Sequence, residues 1–299
     1  MTKLLRIAPE VGQTLRDGGP VVALETTLIA HGFPPGVGVE VGLEAEAAVR
    51  SEGAVPATVG VLDRAVVVGL SVEELARFGD AGPDARKAGA RDLAACMAQG
   101  ALGATTVGGT LAACRQAGIR FLGTGGIGGV HRGFAERPDI SADLVELART
   151  PALVVSSGVK SLLDVPATAE LLETLGVPVL GYRADELPLF YSAGGGPPVS
   201  ARVESAAEAA SIAGAHWELG GAALLLGRPA DETVPNAEKL IEEALRAAGE
   251  QAIAGQDVTP FVLSFLQERS GGRALAVNRD LIVANARLAA EVAVAFAAS

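Results

Sequence analysis

Two side chains stand out for what they could do chemically. Glu25 ends the apolar run Pro20-Val-Val-Ala-Leu-Glu25, which reads as a short strand. A carboxylate at the tip of a buried strand is unfavourable unless it has partners or a reaction to perform. Lys160 follows the strand-like run Leu153-Val-Val-Ser-Ser-Gly and is flanked by Val159, Leu162 and Leu163. Desolvation in such company favours the neutral, nucleophilic amine. Structural alternatives exist for both: Glu25 as a cap of the next segment, and Lys160 in an ion pair with Asp164 one helical turn on. Lysine is also scarce, since only Lys3, Lys87, Lys160 and Lys239 occur among 24 basic residues. A chain that otherwise chooses arginine keeps lysine where a titratable amine is needed. Lys87, in a polar loop ahead of a helix, is placed to meet an anion, a solvated surface lysine being the alternative.

Between these residues lies the stretch Phe121 to Leu144. The run Ile119-Arg120-Phe121-Leu122 reads as a buried strand, and five glycines follow within seven residues: Gly123, Gly125, Gly126, Gly128 and Gly129. Glycines so crowded mark backbone that turns sharply or approaches something closely. His131 and Arg132 come next, then Asp139, Ser141 and Asp143, a carboxylate pair able to hold a divalent cation through oxygen. A second Gly/Thr turn, Gly103-Ala-Thr-Thr-Val-Gly-Gly-Thr110, contains Thr106 and offers hydroxyls and N–H groups to a phosphate. A surface loop is the plain alternative for the first stretch.

The elements that position these groups alternate between strand and helix nearly throughout, so a three-layer α/β/α arrangement with a mainly parallel central sheet is expected. Paired strands at Val55–Leu62 and from Ala65 meet at Asp63-Arg64, and Ser71 with Glu74 forms a capping-box pattern. Thr26 to Pro35 reads as loop, as does Gly271 to Arg279, which carries Asn278. Ser192-Ala-Gly-Gly-Gly-Pro-Pro reads as a lid or subunit contact. In a parallel sheet the strand ends converge on one edge, which puts Glu25, Lys87, Thr106, His131, Asp139, Ser141, Asp143 and Lys160 in one site. No repeat or linker divides residues 1–299, so one domain is expected.

Composition excludes several classes. A net charge of −11 argues against a general nucleic-acid binder. No stretch approaches the roughly 18 apolar residues of a membrane span, and no secretory leader is evident, which implies a soluble cytoplasmic protein. Cys96 and Cys114 lie on apolar helical stretches and read as buried thiols rather than a disulfide framework. Hydrophobic residues make up 49% and aromatics 4%, so the core is built from Ala, Val and Leu. No Cys/His cluster suggests zinc, and Gly123-Thr-Gly-Gly-Ile-Gly is a weak dinucleotide match.

Several runs resemble the pseudouridine-5′-phosphate glycosidase family, also called indigoidine synthase A-like. They are Val22-Ala-Leu-Glu-Thr-Thr-Leu-Ile-Ala-His-Gly-Phe-Pro, Gly53-Ala-Val-Pro-Ala-Thr, Gly103-Ala-Thr-Thr-Val and Thr124-Gly-Gly-Ile-Gly-Gly-Val-His-Arg-Gly. Asp139-Ile-Ser-Ala-Asp-Leu, Lys160-Ser-Leu-Leu-Asp and Gly176-Val-Pro-Val-Leu-Gly-Tyr complete the set, in unbroken order over nearly the whole chain. The resemblance implies an α/β/α homotrimer that uses a manganese-type divalent ion. It implies reversible cleavage of pseudouridine 5′-phosphate to uracil and ribose 5-phosphate. By position, Glu25 matches the family's proton donor, Lys160 its Schiff-base nucleophile and Asp139 its metal ligand. Lys87, Val107, Ser141, Ala142 and Asp143 match substrate-binding positions, and Asn278 matches an active-site asparagine. Thr-Thr after Glu25, Val159 beside the nucleophile and Gly108-Gly109 depart from the family's usual residues without removing a reacting group. A Schiff-base sugar-phosphate aldolase or lyase, or a non-catalytic sugar-phosphate sensor, would draw on the same residues.

Overall fold

The computed structural model describes residues 4–136, 138–192, 194–253 and 258–299. Its first part comprises β1 (Leu5–Ile7), α1 (Pro9–Arg16), β2 (Val21–Glu25), α2 (Thr27–His31), α3 (Val37–Ser51), β3 (Val55–Leu62), β4 (Ala65–Val68) and α4 (Val72–Ala81). There follow β5 (Arg86–Ala88), α5 (Leu93–Gln99), β6 (Gly103–Thr105), α6 (Val107–Ala117), β7 (Phe121–Gly123), β8 (Val130–His131), α7 (Asp143–Leu147) and β9 (Leu153–Ser156). The remainder is β10 (Leu163–Asp164), α8 (Val165–Thr174), β11 (Val179–Tyr182), β12 (Ala201–Val203), α9 (Ala206–Glu218), β13 (Leu224–Gly227), α10 (Ala237–Glu250), α11 (Val258–Arg269) and α12 (Arg273–Ala297).

Continuous apolar runs, not alternating ones, build the centre of the sheet. Every residue of β2, β9 and β13 is buried, the pattern of strands covered on both faces. The strands run in the order β1-β4-β3-β2-β7-β9-β13-β11-β12, with β6 joined to β3 and β5 to β6. Pairing is parallel except where β3 meets β4 and β6. Helix α12 packs on β2, β7 and β9 with α3 and α9 beside it, while α6 packs on β2 and β3 with α7 beside it. The two groups cover opposite faces, giving the expected three layers.

Local rules explain the well-read elements. Asp63 and Arg64 take positive φ (51° and 65°), the backbone of a tight hairpin turn between β3 and β4. Ser71 accepts from the Glu74 N–H, and Glu74 returns the bond to the Ser71 N–H. Four segments differ from their sequence reading. Thr27–His31 is a short helix, not loop, because Leu28, Ile29 and Ala30 bury its inner face. Lys87 lies on β5, paired in register with Ala104, not in a loop. Asn278 lies in α12: Gly271 and Gly272 take positive φ and stop α11, and the Ala-rich segment after them is helical from Arg273. Helix α6 starts four residues early, at Val107, because Thr106 caps it by accepting from the Gly109 N–H at 3.2 Å. The 192–198 segment includes Ala193, which lies outside the described residues.

Gly158, just before Lys160, carries the tightest backbone requirement near the site. Its φ is +86°, and a Cβ there would collide with the Pro188 carbonyl. Gly158→Ala is expected to destabilise the fold by more than about 2 kcal/mol in urea unfolding; a loss within about 0.5 kcal/mol would show that this backbone is not constrained.

Candidate active site

Asp143 is 5% exposed, and both its oxygens are taken by backbone. Oδ1 accepts from the Gly108 N–H at 2.7 Å and Oδ2 from the Gly128 N–H at 2.9 Å. One carboxylate thus ties the N-terminus of α6 to the glycine-rich loop. A charge near a helix N-terminus gains from the helix dipole, and the two charge-assisted bonds offset its burial. Gly128 is required here, since a Cβ would run into the Ser141 side chain. Ser141 Oγ in turn accepts from the Asp143 N–H at 3.2 Å. The amides of Gly108 and Gly109, which the sequence offered to a phosphate, and that of Gly128 are therefore held by protein acceptors. Val107 is fully buried, and its N–H is the open donor at this helix end among the described residues.

Glu25 is 3% exposed at the end of β2. Thr27 Oγ1 donates to its Oε2 and Thr124 Oγ1 to its Oε1. The carboxylate is fixed from both sides. Thr124 is held in its turn by Asn285, whose Nδ2 donates to the Thr124 carbonyl at 2.8 Å and to Ser157 Oγ at 3.1 Å. Sequence reading missed Asn285. Its signal was a fully buried asparagine on the otherwise apolar face of α12 formed by Leu281, Ile282, Ala286 and Ala289. Asn278 lies two turns earlier on that helix, buried, with no protein partner for its amide among the described residues.

Lys160 is half-buried, and among the described residues its amine has no ion-pair partner. The alternative pairing with Asp164 does not form; Asp164 caps α8 by accepting from the Ala167 N–H at 3.0 Å. Backbone bonds hold the lysine against the glycine-rich loop, with Lys160 N–H on the Ile127 carbonyl at 3.1 Å and Ile127 N–H on the Gly158 carbonyl at 3.0 Å.

Lys87 shows that the groups converge. Burial pushes its amine below the ordinary lysine value, the Lys160 charge lowers it further, and Asp143, Glu25 and Asp139 act in the opposite sense. His131 is likewise lowered by burial, raised by Asp139 and lowered by Lys87. Groups from four separate segments thus share one electrostatic site at the strand ends. His31, at the end of α2, also feels Lys87 and is lowered chiefly by burial.

For a divalent ion the donor set is narrow. Asp143 is engaged by amides, which leaves Asp139, with His131 Nδ1 3.9 Å from its Oδ2. Ala142 beside them is exposed. Among the described residues no three His, Cys, Asp or Glu side chains gather to cage a metal. The residues fit an ion that takes one protein carboxylate and otherwise water and substrate oxygen, the habit of magnesium-like cations.

A family model described as indigoidine synthase A like protein matches residues 10–295. This chain belongs to that family. A protein of Streptomyces griseus named pseudouridine-5′-phosphate glycosidase is 48% identical, the match covering 97% of this chain and 92% of that one. One of the same name from Paracoccus denitrificans is 45% identical over 99% and 100%. Among solved structures, the prealnumycin C-glycosynthase AlnA in complex with ribulose 5-phosphate superposes with a TM-score of 0.90 at 40% identity, covering 100% and 98%. An indigoidine synthase A-like protein from Thermotoga maritima gives 0.87 at 38%, covering 97% and 96%.

Anion binding beside Lys87 should carry its titration. Sulfate keeps its charge over the working range, so its affinity should weaken as pH rises through the lowered amine value, earlier than an ordinary lysine allows. Lys87→Gln should remove that limb. Sulfate affinity by calorimetry that stays flat into the ordinary lysine range would show that Lys87 is not the anion's partner.

Proposed function

We propose that this chain is an enzyme that reversibly cleaves the C–C glycosidic bond of pseudouridine 5′-phosphate, giving uracil and D-ribose 5-phosphate. Lys160 is its nucleophile and Glu25 its proton donor. The observation that carries this reading is that one loop joins the three segments: Thr124 bonds Glu25, Ile127 bonds Lys160, and Asp143 ties the loop through Gly128 to α6, whose cap Thr106 bonds the Ala88 carbonyl beside Lys87. The names of relatives 44–48% identical over nearly the full chain support it. So does a ribulose 5-phosphate complex of a protein with the same fold, itself named a C-glycosynthase.

The chemistry follows from the bond. No leaving nitrogen or oxygen is available to protonate, so the sugar must change first. The Lys160 amine forms a bond to C1′ while the C1′–O4′ bond breaks, and O4′ takes the Glu25 proton. The ribose is now open, and the ammonium formed at C1′ returns a proton to the Glu25 carboxylate and becomes an amine. Glu25 passes that proton to uracil C5, after which the C1′–C5 pair restores the ring's C5=C6 bond while the amine lone pair forms C1′=N. Water hydrolyses the imine to ribose 5-phosphate and free Lys160. One difficult cleavage is split into easier steps. Thr27 and Thr124 keep Glu25 aimed, which suits a group that donates and recovers one proton. Lys87 and the Val107 N–H face the 5′-phosphate, with His131, Thr106, Ser141, Ala142 and Asn278 lining the sugar and base.

A manganese-type ion held by Asp139 would neutralise phosphate and sugar oxygens. A homotrimer in the cytoplasm is the state we assign to the enzyme. Exposed Phe134, Ile140 and Val145, clustered in sequence around Asp139, support self-association. Among the described residues no helix is long and apolar enough to cross a membrane. An aldolase or lyase would also form an imine on Lys160, but it would not release uracil.

Uracil release from pseudouridine 5′-phosphate with manganese present tests the reading. The wild-type protein should turn over. Lys160→Ala should lose at least about 1,000-fold in kcat, and Glu25→Gln about 100-fold or more. No uracil from the wild type, or full activity in Lys160→Ala, would overturn it.

A further inference from the structure

The glycine-rich stretch ends in His131-Arg132-Gly133, and the reaction above gives Arg132 no task. Each nitrogen of its guanidinium is nevertheless engaged. Nε donates to the Leu163 carbonyl at 3.2 Å and Nη2 to the Ser161 carbonyl at 2.9 Å. Nη1 meets Glu238 Oε1 of α10 at 2.7 Å. Ser161 and Leu163 are the first and third residues after Lys160, and Leu163 N–H closes a turn onto the Lys160 carbonyl at 2.9 Å. From the other side, Lys160 N–H is bonded to the Ile127 carbonyl. In the short ribbon β8–β10, Leu163 also pairs with His131. The turn that carries the nucleophile is therefore gripped before and after the lysine by one stretch of chain, residues 127–132.

We propose that Arg132 is a positioning residue for the reaction, fixing the Lys160 amine by forking onto the carbonyls of Ser161 and Leu163 while Glu238 holds the fork in orientation. The inference rests on the assignment of Lys160 as nucleophile in the preceding section. Only a planar, multi-donor cation reaches two carbonyls and a carboxylate together; an ammonium is a point charge and serves them poorly. Glu238 is 60% exposed, so its ion pair adds little stability, and its use lies in direction. Four rotatable bonds separate the lysine backbone from its nitrogen, so a turn that shifts carries the amine with it. A misplacement of about 1 Å can slow an oriented attack by roughly 100-fold.

The test is steady-state uracil release by the wild type, Arg132→Lys, Arg132→Ala and Glu238→Gln, with melting temperatures recorded. Arg132→Lys should lower kcat by about tenfold or more while KM stays within about threefold. Guanidinium at non-denaturing concentration should restore part of the kcat of Arg132→Ala and leave the wild type unchanged, which a purely structural role would not produce. A folded Arg132→Lys with kcat within about twofold of wild type, or with a raised KM and unchanged kcat, would overturn the proposal. If Arg132→Lys does not fold, Glu238→Gln decides: a fall in kcat of about threefold supports the clamp, and unchanged kcat and KM overturn it. A wild type that releases no uracil overturns the functional reading first, and the clamp's role with it.

Discussion

Asp143 is a buried carboxylate whose two oxygens accept from the Gly108 and Gly128 amides, and the rest of the site depends on that pair of bonds. Removing either acceptor would leave a buried N–H unpaired, at about 1–3 kcal/mol each. The bonds hold the start of α6 against the glycine-rich loop, and from that loop the other groups are placed. Thr124 at its beginning aims Glu25, Ile127 in its middle anchors the Lys160 turn, and His131 at its end stands beside Asp139. The groups proposed to react come from distant parts of the chain, yet each is referenced to this one loop.

That arrangement explains why so many glycines are needed and why they do not form a simple phosphate cradle. A loop that must accept a carboxylate from α7, a serine side chain and a helix from the far side has no room for Cβ atoms at its contacts, as Gly128 against Ser141 shows. Its amides serve the protein first. Ligand charge is then left to side chains, and Lys87 is the one we propose, because an anion would offset the cost of its burial beside Lys160.

Much of this was legible in the chain. The strand-tip position of Glu25, the small-residue turn before Lys160 and the rarity of lysine singled out the groups proposed to react, and apolar runs gave the parallel sheet. The failures have physical causes. Helix α2 is too short for periodicity to show, and it forms because three apolar residues are buried by tertiary contacts. The loop expected around Asn278 is helix because two glycines stop α11 immediately before it, a boundary read too late in the sequence. Asp143 and Asp139 looked alike on paper; only the approach of two backbone amides separates a structural carboxylate from an available one. Asn285 and Arg132 act through backbone carbonyls of remote segments, contacts that no local spacing encodes.

Of the two buried or half-buried lysines among the described residues, Lys160 is the one we assign to the bond with sugar carbon, and Lys87 is not. Borohydride reduction in the presence of ribose 5-phosphate, followed by peptide mapping, tests it most directly. The reduced adduct is expected on Lys160 alone, with Lys87 unmodified. An adduct on Lys87, or none on either lysine under conditions where uracil is released, would contradict it.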